Sequence, residues 1–218
     1  MIVKVHKLFT TINEIYIERL CKLKEAIDNY FNLLKQSVDG LDRKAIISFV
    51  DLLLEARKNG NNIYIMGNGG SASTASHFTC DFNKGLSYKK DIRFKMICLN
   101  DNIATMLAYS NDLGYENVFV EQLKNFLKKD DVVIGISGSG NSKNILNAIE
   151  YANHLGAKTV GLTGFDGGKL KNIVDVSIHA DVNNMQVTED VHMSICHMLY
   201  SVMSPILEVE NKEVLNCV

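Results

Sequence analysis

His77 and Asp81 stand four residues apart, and Glu189, His192 and His197 cluster near the far end of the chain. On a helix, side chains at i and i+4 point the same way. An imidazole and a carboxylate so placed can ligate one first-row metal ion such as zinc. They can share one proton-transfer site working near neutral pH. They can also be a surface contact, or a buried histidine with its hydrogen bonds met and no chemistry at all. Glu189 and His197 are eight residues apart, about 12 Å of helical rise, so their convergence on one ion needs long side chains or an irregular turn. Cys80 and Cys196 each precede a candidate ligand and read as small buried hydrophobes.

A second kind of chemistry is carried by three turns rich in small residues. These are Gly67-Asn68-Gly69-Gly70-Ser71, Ser137-Gly138-Ser139-Gly140-Asn141-Ser142 and Thr163-Gly164-Phe165-Asp166-Gly167-Gly168. Glycines let backbone N–H groups approach an anion, serine hydroxyls add donors, and a following helix N-terminus adds partial positive charge. A phosphate suits such a turn, most of all the serine-rich one; the alternative is three ordinary tight turns. Gly-x-Gly-x-x-Gly is absent at Gly67 and Gly138, and no Walker lysine follows, so neither a dinucleotide nor a nucleoside triphosphate is indicated.

These residues need a scaffold that brings turns and helices together. Asn62–Met66 is a short apolar run ending in the first turn, and similar runs follow at Phe94–Leu99, Val132–Ile136, Thr159–Leu162 and Val174–Ile178. Such runs read as buried parallel strands. Helical stretches separate them near 71–84, 102–109, 115–128, 142–155 and 168–172, and a last helix over 186–204 is expected to stop at Pro205. The alternation predicts an α/β fold with a parallel sheet covered on both faces. Ligands then bind at the carboxyl ends of the strands, where all three turns fall. Two helices, 12–38 and 42–58, precede the sheet. Ile12, Ile15, Tyr16, Leu20, Leu23, Ile27, Phe31 and Leu34 form an apolar stripe on the first. Asp42 is a candidate N-cap and Gly60 a stop for the second. This divides the chain into a helical arm, 1–60, and a sheet domain, 61–218, together one unit.

Composition narrows the function classes. The formal net charge is −2 and the lysines are scattered, which argues against a nucleic-acid partner. No apolar run approaches a membrane span. Met1–Thr11 carries Lys4, His6 and Lys7 and makes a poor signal peptide. The five cysteines, Cys21, Cys80, Cys98, Cys196 and Cys217, are odd in number and lack a Cys-x-x-Cys pair, which fits reduced thiols in a cytoplasm.

Four segments, in order, resemble the signatures of the phosphoheptose isomerases, enzymes of the sugar isomerase (SIS) domain group. They are Met66–Phe78, Gly135–Ser142, Leu162–Leu170, and Glu189-Asp190-Val191-His192 followed by His197. The resemblance covers about Glu14 to Leu207. It implies a five-stranded parallel sheet sandwiched by helices, a flavodoxin-like relative of the Rossmann folds that binds no nucleotide. It implies a homotetramer with active sites shared between subunits. It further implies isomerisation of sedoheptulose 7-phosphate to D-glycero-D-manno-heptose 7-phosphate through an enediol, with Zn2+ in the site, for heptose and surface-glycan biosynthesis.

By the same resemblance Ser137, Ser139 and Ser142 bind the phosphate, together with Gly138, which stands where the family commonly has threonine. Asn68, Gly69 and Ser71 contact sugar or phosphate, and Asp112 is an acidic substrate contact. His77 is a metal ligand, Asp81 both ligand and base, Glu189 a ligand near the substrate, and His197 both ligand and general acid. Asp81 replaces a glutamate and is one methylene shorter; Glu189 replaces a neutral glutamine. Misplacing a base by ~1 Å can cost about a hundredfold in rate. Other readings are an isomerase of another sugar phosphate, a non-catalytic SIS protein binding a replication initiator, and the sensor domain of a transcription regulator. The surviving histidines and carboxylates argue against the second. Residues 1–60 lack a basic recognition helix, which argues against the third.

Overall fold

The computed structural model describes the backbone of residues 2–215 and the side chains of residues 16–210. Two helices, α1 (Ile2–Asp39) and α2 (Arg43–Asn59), lead into β1 (Asn62–Gly67), α3 (Gly70–Cys80) and a π-helical turn, Asp81–Leu86. Then follow β2 (Lys95–Cys98), α4 (Ile103–Leu113), a 3-10 turn at Tyr115–Asn117, α5 (Val120–Phe126), β3 (Val132–Ser137) and α6 (Lys143–Leu155). The chain ends in β4 (Lys158–Thr163), α7 (Leu170–Ile173), β5 (Val176–His179) and α8 (Met185–Leu215).

The five strands form one parallel sheet in the order β2-β1-β3-β4-β5. This is the flavodoxin-like order, and its direction reverses between β1 and β3. In sheets of this kind ligands bind beside the carboxyl ends of the strands where the order reverses, here β1 and β3.

Strand alternation sorts the core. Ile63 and Ile65 of β1 face α2, α3 and α8, with Phe49, Leu53, Phe78, Phe82, Ile195 and Leu199. Tyr64 and Met66 face α5 and α6, with Phe119, Leu123, Ile145 and Ile149. Asp42 caps α2 by accepting from the Lys44 and Ala45 amides, and Gly60, at φ +72°, closes it. The buried Phe78 stacks on Phe82 at 4.8 Å, and this contact orients α3. With Phe78 turned inward, His77 and Asp81 are held toward α8.

Three elements differ from the sequence expectation. The helix expected near 115–128 is a 3-10 turn at Tyr115–Asn117 followed by the shorter α5. The helix expected near 71–84 changes pitch at Asp81 into the π-helical turn. The last helix does not stop at Pro205 but runs through it to Leu215. Proline removes one backbone bond there. The far side of α8 is anchored by the buried Met203 and Leu207 and by an Arg57–Glu210 ion pair at 2.8 Å. Tyr16, Ile17, Leu20, Leu23, Ile27 and Phe31 of α1 are all exposed. Among the described residues no helix is long and apolar enough to cross a membrane.

Candidate active site

The first turn leaves β1 at Gly67 and opens α3. Gly69 has φ +54° with nothing near a would-be Cβ, so glycine is needed there for backbone conformation rather than for room. At Gly70 the reason is crowding: a Cβ would lie 2.6 Å from both carboxylate oxygens of Glu189. The Glu189 carboxylate thus rests on the N-terminal turn of α3, where negative charge is favoured by the helix dipole. Ser71 is buried, and its amide donates to the Asn68 carbonyl at 3.0 Å.

The second turn joins β3 to α6. The Ser137 and Ser142 hydroxyls lie 3.1 Å apart, and Ser139 Oγ accepts from the Asn141 amide at 3.3 Å. Gly138 faces Met185, whose sulfur would be 2.7 Å from a Cβ. The two turns are tied by a reciprocal amide pair. Asn68 Nδ2 donates to Asn144 Oδ1 at 3.0 Å, and Asn144 Nδ2 donates to Asn68 Oδ1 at 2.9 Å.

The third turn braces the second. The Gly164 amide donates to the Gly138 carbonyl at 2.8 Å, and the Leu170 amide to the Gly140 carbonyl at 3.0 Å. Gly140, at φ +64°, leaves no room for a Cβ, which would fall 2.0 Å from the Gly167 carbonyl oxygen. Two of the three turns are therefore the candidate anion cradle, and the third supports it from behind.

The titratable cluster lies where α3 and α8 run side by side. His77 Nε2 and His197 Nε2 approach to 3.0 Å, and Asp81 Oδ2 lies 3.4 Å from His77 Nε2. One ligand atom from each of His77, Asp81 and His197 falls within 4.8 Å of the others. Two imidazole nitrogens and a carboxylate oxygen are the donor set of a catalytic zinc site, with a coordination position left for water or substrate. Asp81 and His197 also line a recess with Cys80, Lys84, Gly85, Tyr200 and Ser201.

Glu189 falls outside this cluster, at Gly70, two helical turns before His197. His192 lies in the core instead. It is buried, with Nε2 3.2 Å from the Thr163 carbonyl oxygen, and burial pushes it down to about 4. Asp112 is exposed near the end of α4 and accepts from Asn111 Nδ2 at 2.8 Å. Burial pushes the Cys98 and Cys196 thiols up to about 12, in keeping with inert packing groups. Cys80 is exposed, contrary to expectation, because the packing of Phe78 and Phe82 turns it outward. Cys217 lies outside the described residues. Sequence reasoning passed over Asn144, Tyr115, Met185 and Tyr200, whose roles come from contacts distant in sequence.

The family model for the SIS domain matches residues 27–164. A phosphoheptose isomerase of Helicobacter pylori is 41% identical over 167 residues, covering 76% of this chain and 85% of its own. The chain belongs to the phosphoheptose isomerase family. By that membership it is an isomerase. A probable phosphoheptose isomerase of Thermoplasma acidophilum is 35% identical, covering 73% of this chain and 87% of its own. The solved phosphoheptose isomerase of Francisella tularensis superposes with a TM-score of 0.78 at 27% identity, over 85% of this chain and 98% of that one. The Neisseria gonorrhoeae structure gives 0.77 at 26% identity, over 84% and 99%. The five-stranded sheet is therefore that of this isomerase family.

Proposed function

We propose that this chain interconverts sedoheptulose 7-phosphate and D-glycero-D-manno-heptose 7-phosphate through an enediol, supplying heptose for surface-glycan biosynthesis in the cytoplasm. The observation that carries the reading is the convergence of His77, Asp81 and His197 from two parallel helices. One of those helices, α3, starts at the first glycine turn. The phosphate docks on the Ser137–Ser142 turn through Ser137, Ser139, Ser142 and the Gly138 backbone. Asn68, Gly69 and Ser71 line the facing turn. Donors aimed in advance at an anion lose little freedom when it binds.

The reacting end of the open-chain ketose then lies at the titratable cluster. Asp81 removes a proton from the hydroxyl-bearing carbon beside the carbonyl while His197 gives one to the carbonyl oxygen, which leaves the enediol. Asp81 then returns its proton to the former carbonyl carbon as His197 takes back the proton of the other hydroxyl, forming the aldose and restoring both groups. With two imidazole nitrogens 3.0 Å apart, one ring must donate while the other accepts, or both must turn their lone pairs to a shared cation. Zn2+ held by His77, Asp81 and His197 would supply electrostatic stabilisation of the developing negative oxygen. Glu189 and Asp112 complete the proposed substrate contacts, Glu189 from the α3 N-terminus rather than from within the cluster. We further propose a homotetramer assembled through the exposed α1 stripe, with residues 1–60 as its helical arm and 61–218 as the SIS domain.

The test is an isomerase assay with sedoheptulose 7-phosphate on the wild type and Asp81→Asn. Turnover by the wild type and a loss of at least about a hundredfold in Asp81→Asn are expected. Unchanged turnover in the variant removes Asp81 as the base, and no turnover by the metal-replete wild type removes the substrate assignment.

A further inference from the structure

The amide pair that ties the two turns has a third member. Tyr115 Oη donates to Asn68 Oδ1 at 2.7 Å. Tyr115 opens the 3-10 turn after α4, and Asn147 Nδ2 holds that turn to α6 through the Glu116 carbonyl at 3.0 Å. The ring is about half exposed at 49%, while Asn144 is buried at 2%.

The direction of every hydrogen bond in this group follows from one fixed donor. The Ile145 backbone N–H donates to Asn144 Oδ1 at 3.0 Å. That assigns the oxygen of Asn144, so its Nδ2 must be the donor to Asn68. The partner atom on Asn68 is then Oδ1, and a carboxamide oxygen only accepts. The Tyr115 hydroxyl must therefore give its one proton to Asn68. Both lone pairs of Asn68 Oδ1 are now filled, by Asn144 and by Tyr115. What remains unused is one N–H on each of Asn68 Nδ2 and the buried Asn144 Nδ2, and the lone pairs of Tyr115 Oη.

We infer that Tyr115 is a specificity-determining residue that recognises a sugar hydroxyl. Resting on the sugar-phosphate reading above, this assigns the two turns different duties. The Ser137–Ser142 turn holds the phosphate, whereas Tyr115 Oη accepts from a hydroxyl of the carbon chain beside it. The adjoining Asn68 N–H donates to the neighbouring oxygen. An acceptor next to a donor matches a vicinal diol, the repeating unit of an open-chain sugar. The doubly ionised phosphate of a phosphomonoester has no proton to give an acceptor, so the phosphate end gains nothing from Tyr115. Inorganic phosphate, although it keeps a P–OH, belongs to the serine turn on this reading and serves as the comparison ligand.

The experiment compares wild type and Tyr115→Phe by calorimetry, with sedoheptulose 7-phosphate and with inorganic phosphate as separate titrants. The expected result is about a tenfold weaker sugar phosphate, the scale of one neutral hydrogen bond. Inorganic phosphate should bind the two proteins within about twofold, and their melting temperatures should agree. Equal sugar-phosphate affinity in the two proteins overturns the inference, and so does a parallel loss of both ligands, which would mean that Tyr115 only shapes the turn. If the wild type binds the sugar phosphate without isomerising it, the isomerisation reading fails while the Tyr115 comparison still decides. If the wild type does not bind it, both fail.

Discussion

Lowering the pH should destabilise this protein through His192 before the carboxylates begin to protonate. The His192 ring is buried, its Nε2–H faces the Thr163 carbonyl, and its Nδ1 has no partner. Protonating Nδ1 would bury an N–H, and a positive charge, with nothing to receive either. Burial therefore pushes the ring from 6.5 down to about 4, with the Thr163 carbonyl opposing the fall and His179 adding slightly to it. Between pH 6.5 and 4 the unfolded chain binds the proton that the folded chain refuses, so stability drops as pH falls through that window. From pH 7 to pH 5 the loss is about 2 kcal/mol, and below pH 4 it levels at about 3 kcal/mol. His179, lowered by burial and then by the charge of Lys171, adds a slope of the same sign. The assay is urea unfolding of wild type and His192→Gln at pH 7, 6 and 5. Glutamine keeps a donor for the Thr163 carbonyl and does not titrate. The wild type should lose about 2 kcal/mol more than the variant over this range. Parallel pH profiles would refute the reasoning.

Three further outcomes are expected. Gly140→Ala combines a positive φ, about 1–2 kcal/mol of strain, with a clash against the Gly167 carbonyl; calorimetry should show phosphate binding at least tenfold weaker. Metal analysis of protein purified without chelator should find about one zinc per chain and almost none in His77→Ala, as a three-ligand site requires; equal content in both would remove His77 as a ligand. Leu20→Glu with Ile27→Glu charges the exposed α1 stripe and should lower the mass seen by light scattering from four chains to fewer, with the sheet intact by circular dichroism.

The sheet was legible because β1, β3 and β4 carry short apolar runs ending in glycine turns, a pattern that local sequence carries in full, whereas β2 and β5 end without a glycine and were readable from their short apolar stretches alone. The capped ends of α2 at Asp42 and Gly60 were legible for the same reason. His77 and Asp81 could be placed on one face by their spacing alone. Their meeting with His197 could not, since it depends on how α8 packs beside α3. Pro205 misled because local propensity favours a stop there, while burial of Met203 and Leu207 keeps the helix going. The π-helical turn at Asp81 left no mark in the periodicity. Gly85 within it admits the Tyr200 ring, whose Cε2 would lie 2.4 Å from a Cβ, and that fit is visible only in three dimensions. His192 shared the spacing of a catalytic motif yet went to the core. A count of residues along one helix does not say which flank meets solvent.

The brace behind the serine turn has a consequence for selectivity. With the Gly138 and Gly140 carbonyls already tied to Gly164 and Leu170, the cradle is rigid before any guest arrives. If it holds phosphate as proposed, a stiff mould of this kind grips every phosphomonoester alike, since all present the same trigonal face of oxygens. Choice among sugars must then be made further along the carbon backbone, by side chains on separate elements that can drift without loosening the grip. One scaffold could in this way pass from one ketose to another by changing a few residues outside the braced turn.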